Sequence, residues 1–266
     1  MRNISPTVKI LIIVNVALLL LTSLLDRLGL DLTRYLALYF PASEYFFPHQ
    51  FVTHLFMHGG WAHLFFNMYA LFVFGTVLER VWGQKRFLVY YLVTGLGAAA
   101  LHTLVNWFEI SKIQEAAAGV INTLTPDTFS AFVSEYFSEK VNIDAIDAFV
   151  SQWETAGSSP LFLAQAEEVI NNLTNSAMNV PTVGASGAIF GVLLAFGMLF
   201  PNTQLMLLFP PMPIKAKWMV IGYGVLELAL GFYNPGSNVA HFAHVGGMIF
   251  GFFLIRYWQK STGSFY

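Results

Sequence analysis

Residues 87–108 comprise FLVYYLVTGLGAAALHTLVNWF, a stretch that contains no Asp, Glu, Lys or Arg. An α-helix needs about 20 predominantly apolar residues to cross the roughly 30 Å hydrocarbon core of a bilayer. A stretch of this length and apolarity therefore predicts a helix that spans a membrane.

The composition of the whole chain agrees with that prediction. Of its 266 residues, 56% are hydrophobic and only 11% are charged, whereas a soluble domain carries roughly 25% charged residues. This composition excludes a disordered chain, a nucleic-acid-binding protein and an ordinary soluble enzyme. There is no cysteine, which excludes disulfides, thiolate metal sites and a cysteine nucleophile.

Five further apolar stretches meet the same length criterion. They cover approximately residues 8–25, 61–78, 182 to the break at Pro201, 218–233 and 239–255. The first has basic residues upstream, as a signal peptide does, but no small-x-small cleavage site follows it, which favours an uncleaved helix. We therefore expect an all-α membrane protein with six transmembrane helices.

The distribution of Lys and Arg predicts the orientation of these spans. Most of the 13 basic residues fall on one side if both termini are cytoplasmic. Spans two, four and six then all begin at the outer face. The expected protein is a multi-pass integral membrane protein of a bacterial cell (inner) membrane, in contact with the lipid bilayer and not with nucleic acid.

The polar segment 109–180 divides the chain into three parts. Residues 1–108 would hold spans one to three with an interfacial first loop, and residues 181–266 would hold spans four to six. The segment between them carries ten acidic residues and two lysines, and Thr125-Pro126 and Ser159-Pro160 each predict the start of a helix. We expect an acidic insertion of amphipathic helices on the outer side of the membrane.

Ser186 lies in the sequence Gly184-Ala185-Ser186-Gly187, at the outer start of span four. Small residues at such a position allow helices to pack closely, which is the structural interpretation. The functional interpretation is a nucleophile at a helix N-terminus, where free N–H groups favour developing negative charge. A serine nucleophile needs a base.

The candidate base is His244, at the outer start of span six. Gly187 and Gly191 form one G-x-x-x-G pair, and Gly247 and Gly251 form another. If spans four and six pack along these glycines, His244 can reach Ser186, whereas the nearby His241 points elsewhere on its helix. A lone intramembrane histidine can equally serve as a hydrogen bond between helices.

His63 and Asn67 are four residues apart and share one face at the outer end of span two. Their polar hydrogens are suited to stabilising an oxyanion. Metal ligation is the competing interpretation, since His54 and His58 have the same spacing. No carboxylate in the spans completes a zinc ligand set, however, and we predict no metal site. Glu227 in span five has no obvious basic partner. With no acid placed to orient His244, the pattern predicts a Ser-His dyad.

These residues resemble the rhomboid family of intramembrane serine proteases. The resemblance implies a six-helix rhomboid fold with no metal and no organic cofactor. It implies hydrolysis of a peptide bond in or beside the transmembrane segment of another membrane protein. The motifs that carry it are Gly184 to Gly187, the run His54 to Asn67, Ala243-His244-Val245-Gly246-Gly247, Gly75-Thr76-Val77-Leu78-Glu79 and Phe209 to Lys215.

Carried over by position, Ser186 is the nucleophile and His244 the general base. His63, Asn67 and the backbone N–H of Ser186 would form the oxyanion hole. The chain departs from the family in three places. His49-Gln50 replaces a common Trp-Arg pair, Phe190 replaces a common tyrosine that stacks on the catalytic histidine, and the segment before span four is unusually long.

Two other classes of function remain open at this point. One is a catalytically silent rhomboid relative that binds membrane clients. The other is a transporter or metal-binding channel, which would place acidic residues in several spans. Span five alone carries one, Glu227.

Overall fold

The computed structural model describes residues 4–157, 159–206, 212–233 and 239–262. Helices make up most of these residues, with one short antiparallel pair of strands. The elements are α1 (Pro6–Asp26), α2 (Thr33–Leu36), α3 (Gln50–Thr53), α4 (Trp61–Ala70), α5 (Thr76–Trp82), α6 (Gln84–Asn122), α7 (Pro126–Phe137), α8 (Ile143–Ala156), α9 (Pro160–Met178), α10 (Ser186–Leu199), β1 (Gln204–Met206), β2 (Pro213–Lys215), α11 (Ala216–Tyr233) and α12 (His241–Thr262).

The chain forms two compact units. The first contains Met1–Leu38, Tyr45–Leu104 and Pro181–Tyr266, and the second contains Tyr39–Glu44 and Val105–Val180. Phe209, Pro210 and Pro211, which belong to the motif predicted before span five, lie outside the described residues.

Three helical stretches of the described residues are long and apolar enough to cross a membrane. They are Pro6–Asp26, Trp61–Trp82 and Gln84–Asn122, and Ser186–Leu199 is a shorter apolar helix. Large apolar side chains lie on the surface of the first unit, for example Phe65 at 62% exposure and Phe253 at 66%. An exposed apolar surface of this extent is suited to lipid rather than to water. The chain is an all-α membrane protein.

Helix α10 is the buried centre of the first unit. Its side chains are apolar on all sides, and Ala188, Val192 and Ala195 are completely buried. A helix of this kind must be surrounded by other elements. The cluster around it includes Leu71 and Leu78.

The glycine pairs do not form the single α10–α12 seam that their spacing predicts. A Cβ added at Gly247 would overlap the carbonyl of Gly187, so these two glycines bring α12 against α10. Gly191 and Gly251 instead face Thr94 and Tyr90 of α6. Gly187 also faces α6, at Ala98. The glycines therefore admit a third helix, which a two-helix argument does not consider.

The long second span contains a π-helical turn, Leu71–Gly75, between α4 and α5. Near its C-terminal end Glu79 accepts hydrogen bonds from Ser5 Oγ at 2.5 Å and from the backbone N–H groups of Thr7 and Val8 at 2.8 and 2.9 Å. Glu79 thus satisfies donors at the start of α1 that the helix itself cannot satisfy.

The second unit has its own core, which includes Phe129, Trp153 and Ile170. Helices α7 and α9 begin at Pro126 and Pro160, as the two Thr/Ser-Pro pairs predict. The Thr125 side chain caps α7 by accepting from Thr128 N. Helix α6 continues to Asn122, well beyond the predicted end of the third span at residue 108, because residues 109–122 contain good helix formers and no proline.

Candidate active site

Ser186 is the first residue of α10, and the backbone before it is held in place on two sides. Leu38 and Thr182 exchange backbone hydrogen bonds of 2.9 and 2.8 Å, and Gly184 N donates to the carbonyl of His54 at 3.0 Å. Gly184 has φ +128°, a conformation that L side chains rarely adopt. The half-buried serine is therefore presented at a fixed helix N-terminus.

His244 on α12 lies directly beside this serine. Its Nε2 is 2.8 Å from Ser186 Oγ. The ring of Phe190, one turn after Ser186, stacks on the imidazole with 4.2 Å between ring centroids and 7° between planes. Phe190 therefore provides the aromatic face that holds the imidazole plane, although it lacks a tyrosine hydroxyl.

Glu227 on α11 completes a contact that the sequence analysis did not predict. Its Oε2 is 2.9 Å from His244 Nδ1 and 2.7 Å from His241 Nδ1. All three residues are 8% exposed. A carboxylate only accepts hydrogen bonds, so His244 donates through Nδ1 and its Nε2 lone pair faces Ser186.

The expectation that no acid lies close enough to orient His244 is therefore wrong. Glu227 had no visible partner in the sequence because its partners are two imidazoles on another helix, and the contact depends on how α11 packs against α12. A usable signal was present, since a single intramembrane acid and an unexplained His241 both need a polar partner.

The two predicted oxyanion donors lie on α4, close to the same loop. A Cβ added at Gly184 would come within 2.8 Å of His63 Nε2 and 3.6 Å of Ser186 Oγ. The His63 imidazole and the serine hydroxyl therefore lie on the same side of Gly184. The amide Nδ2 of Asn67 donates a hydrogen bond to His58 Nε2 at 3.1 Å. The rings of His58 and His63 pack edge to face, with 5.0 Å between their centroids.

His54 and His58, in the loop before α4, are buried and have separate partners. Burial lowers the pKa of each imidazole to about 4, because a charged ring is poorly solvated there. His54 Nδ1 lies 2.7 Å from the carbonyl of Gln50, so this nitrogen is engaged with the backbone. The potential metal ligands that cluster within the described ranges are Glu227, His241 and His244, whose donor atoms lie within 4.8 Å of one another.

A small open pocket adjoins Ser186 and is lined on one side by residues of α6. Its wall includes His54, Thr182 and Ala243. His102 also lines it and contacts Thr182 Oγ1 through Nε2 at 3.0 Å. Polar side chains of this kind can hold the water that a hydrolytic reaction consumes.

Comparison with known proteins finds relatives among the rhomboid proteins. The chain is 27% identical over 154 residues to the Rhomboid-like protein 11, chloroplastic, of Arabidopsis thaliana. This match covers 56% of the present chain and 51% of the plant protein. It is 39% identical over 56 residues to the Rhomboid protease AarA of Providencia stuartii, 21% of this chain and 20% of that protein.

The chain is also 26% identical over 204 residues to the Rhomboid protease GluP of Bacillus subtilis (strain 168), 77% of this chain and 25% of that protein. The matches thus span between a fifth and about half of the length of these relatives. The family model of the rhomboid domain matches residues 47–120 and 158–260, which include Ser186, His244, His63, Asn67 and Glu227. With most of its length matched, the chain belongs to the rhomboid family.

Proposed function

We propose that this protein is an intramembrane serine endopeptidase that cleaves other membrane proteins in or near their transmembrane segments. The observation that carries the proposal is the hydrogen-bonded series Ser186, His244 and Glu227, drawn from three helices. A nucleophile, a base and a group that orients the base are the parts that acyl transfer requires.

The first half of the reaction follows from these contacts. Ser186 Oγ attacks the scissile carbonyl while His244 Nε2 takes its proton. Glu227 stabilises the imidazolium that forms, through the hydrogen bond at Nδ1. The negative oxygen of the tetrahedral intermediate is stabilised by the Ser186 N–H at the start of α10, together with His63 and Asn67.

The second half restores the enzyme. His244 gives its proton to the leaving amine, and the peptide bond breaks to leave an ester on Ser186. Water then attacks the ester while His244 takes a proton from it. The bond between the acyl carbon and Ser186 Oγ breaks, the carboxylic acid leaves, and His244 returns the proton to Ser186 Oγ. Because the groups lie in a site of low dielectric, preorganised donors stabilise developing charge more strongly than they would in water.

The membrane topology belongs to the same proposal. Six spans with both termini in the cytoplasm place Ser186, His244 and His63 under the outer surface. Residues 1–108 and 181–266 would form the membrane domain, and 109–180 an extramembrane helical insertion. The expected location is a bacterial inner membrane, and the substrates are transmembrane proteins with helix-destabilising residues near the outer leaflet, where a carbonyl can be exposed to attack.

A catalytically silent relative that binds membrane clients is the alternative function. Such a protein has no need of a serine hydroxyl hydrogen-bonded to an imidazole. A fluorophosphonate probe separates the two functions, because it forms a covalent bond only with an activated serine. The wild-type protein should be labelled, and Ser186→Ala should abolish labelling.

The matched control is Ser176→Ala, which removes an exposed serine whose hydroxyl donates to the carbonyl of Leu173 within α9. It should be labelled like the wild type. Labelling of Ser186→Ala at the wild-type level would contradict the assignment of the nucleophile. A folded wild-type protein that is never labelled and cleaves no membrane protein would favour the silent relative.

A further inference from the structure

One imidazole of the site has no part in the proposed reaction. His241 Nδ1 is 2.7 Å from Glu227 Oε2, closer than the 2.9 Å of His244 Nδ1 to the same oxygen. Orienting His244 needs only one of these contacts. His241 is as buried as His244. Together with Glu227, the two histidines form a cluster of two imidazoles and a carboxylate.

We propose that Glu227, His241 and His244 form a binding site for a divalent cation of the zinc class, and that the bound cation inhibits the enzyme. The binding site stands on geometry alone, whereas the inhibition rests on the proposed function. Two imidazole nitrogens and a carboxylate oxygen are a ligand set that zinc uses in proteins, with water in the fourth position. The three donor atoms lie within 4.8 Å of one another.

Two of the three separations between ligand atoms need only a small expansion to accept the cation. Tetrahedral zinc with bonds of about 2.0–2.1 Å holds its ligand atoms about 3.3 Å apart. The present hydrogen bonds are 2.7 and 2.9 Å, so the carboxylate has to retreat by roughly half an ångström. The third separation, between the two imidazole nitrogens, is at most 4.8 Å and has to close to about 3.3 Å. Rotation of the side chains can close it, because His241 and His244 are three residues apart on α12 and therefore on one face.

Cation binding at His244 has a specific chemical consequence. The cation takes the lone pair of Nδ1, so the proton that Nδ1 carried moves through water to Nε2. Nε2 then donates a hydrogen bond to Ser186 Oγ instead of accepting one. The base can no longer take the proton of the serine, and the nucleophile is not activated.

The ligand types also predict which cations bind. Imidazole nitrogen favours zinc and its neighbours in the transition series, whereas magnesium and calcium prefer oxygen ligands. Zinc should therefore bind and inhibit, and magnesium at the same concentration should do neither. The cation acts here as an inhibitor and takes no part in the reaction.

Direct binding tests the site without any reference to proteolysis. Untagged Ser186→Ala protein in detergent is titrated with Zn²⁺ against a fluorescent chelator. One site per chain is expected, and adding His241→Ala should weaken it at least tenfold. His241→Gln, which keeps a hydrogen-bond donor for Glu227, is the second variant in case the alanine variant does not fold. His49→Gln, which removes an exposed imidazole, is the control and should bind Zn²⁺ as before.

Activity assays then test the inhibition. Zn²⁺ should inhibit the wild-type enzyme, a chelator should restore it, and the inhibitory concentration should rise at least tenfold in His241→Gln when each variant is normalised to its own activity. Equal Zn²⁺ affinity in both His241 variants and their parent would overturn the site. Zinc binding that depends on His241 in a protein without protease activity would support the site and contradict the proposed function. Binding without inhibition of an active enzyme would overturn the inhibitory role.

Discussion

Glu227 Oε2 accepts a hydrogen bond from His244 Nδ1 at 2.9 Å, while Nε2 of the same ring lies 2.8 Å from Ser186 Oγ. The acid and the serine therefore engage opposite nitrogens of one imidazole. This arrangement selects the tautomer in which the nitrogen facing the serine is a proton acceptor.

Replacement of Glu227 by glutamine should lower kcat by about 10²- to 10³-fold, because the variant loses the charge that stabilises the imidazolium and its amide can donate to Nδ1. KM should change little, since Glu227 does not contact substrate in the proposed reaction. Steady-state kinetics on a transmembrane substrate in liposomes measures both parameters.

Two further measurements separate positioning from folding. Glu227→Asp keeps the charge on a shorter side chain and should recover part of kcat. The apparent melting temperature of Glu227→Gln should stay near that of the wild type, since the amide still fills the position. If Glu227→Gln turned over at the wild-type rate, the carboxylate would have no part in orienting His244.

Asn67→Ala tests the oxyanion hole. Loss of one donor in a serine protease costs about 10²- to 10³-fold in kcat. We expect a smaller loss here, of about tenfold or more, because His63 and the Ser186 N–H remain. The measurement is kcat with the same substrate.

The control for this variant addresses the contact between Asn67 and His58, 3.1 Å apart. His58→Gln keeps a hydrogen-bonding side chain beside Asn67 and should lose less activity than Asn67→Ala. Full activity of Asn67→Ala would show that the amide supports His58 and does not stabilise the oxyanion.

Local pattern was enough to predict the three long apolar helices and to select Ser186 and His244 as candidates that lie in contact. Residues 87–108 indicate a spanning helix from composition alone, and Thr125-Pro126 indicates where α7 begins. The contact of His244 with Ser186 follows from the position of two glycines. Each of these predictions depends on residues that are close in the sequence or on one pair of helices.

The features that were missed depend on three or more helices at once. Glu227 reaches His244 only because α11 packs against α12 while α12 packs against α10. Gly191 and Gly251 admit α6, which a two-helix argument leaves out. The continuation of α6 to Asn122 was missed for another reason, because the apolar stretch ends long before the helix-forming residues do.

Gly247→Ala tests the close packing that brings the serine and histidine together. An added Cβ would overlap the carbonyl of Gly187, and neither backbone can move without separating α12 from α10. Overpacking of this kind costs about 1–3 kcal/mol, or more where backbone is involved. We expect a lower apparent melting temperature and a loss of fluorophosphonate labelling.

Gly222→Ala is the matched control for this substitution. Gly222 is an exposed helical glycine on α11, and an added Cβ there has no atom within 4 Å. Alanine should be neutral or slightly stabilising at this position, by up to about 1 kcal/mol. If both alanine variants melted and reacted like the wild type, the backbone contact of Gly187 with Gly247 would not limit the approach of the two helices.

The buried imidazoles of His54 and His58 predict a loss of stability in acid. Their pKa values are lowered by burial to about 4 in the folded protein, whereas an unfolded chain has a histidine pKa near 6.5. Between these values the unfolded state binds more protons, so the free energy of unfolding falls as the pH is lowered. The free energy of unfolding is highest, as far as these two groups are concerned, above about pH 6.5. It falls progressively from there toward pH 4, and by pH 5 each group has lowered it by about 1–2 kcal/mol.

Apparent melting temperatures in detergent at pH 8 and pH 5 measure this effect. The wild-type protein should melt at a lower temperature at pH 5. His54→Gln removes one of the two groups and should reduce the difference between the two pH values, whereas His49→Gln removes an exposed imidazole and should leave that difference unchanged. A wild-type melting temperature that is equal at both pH values would contradict the neutral, buried state of these two rings, because no proton would then be taken up on unfolding.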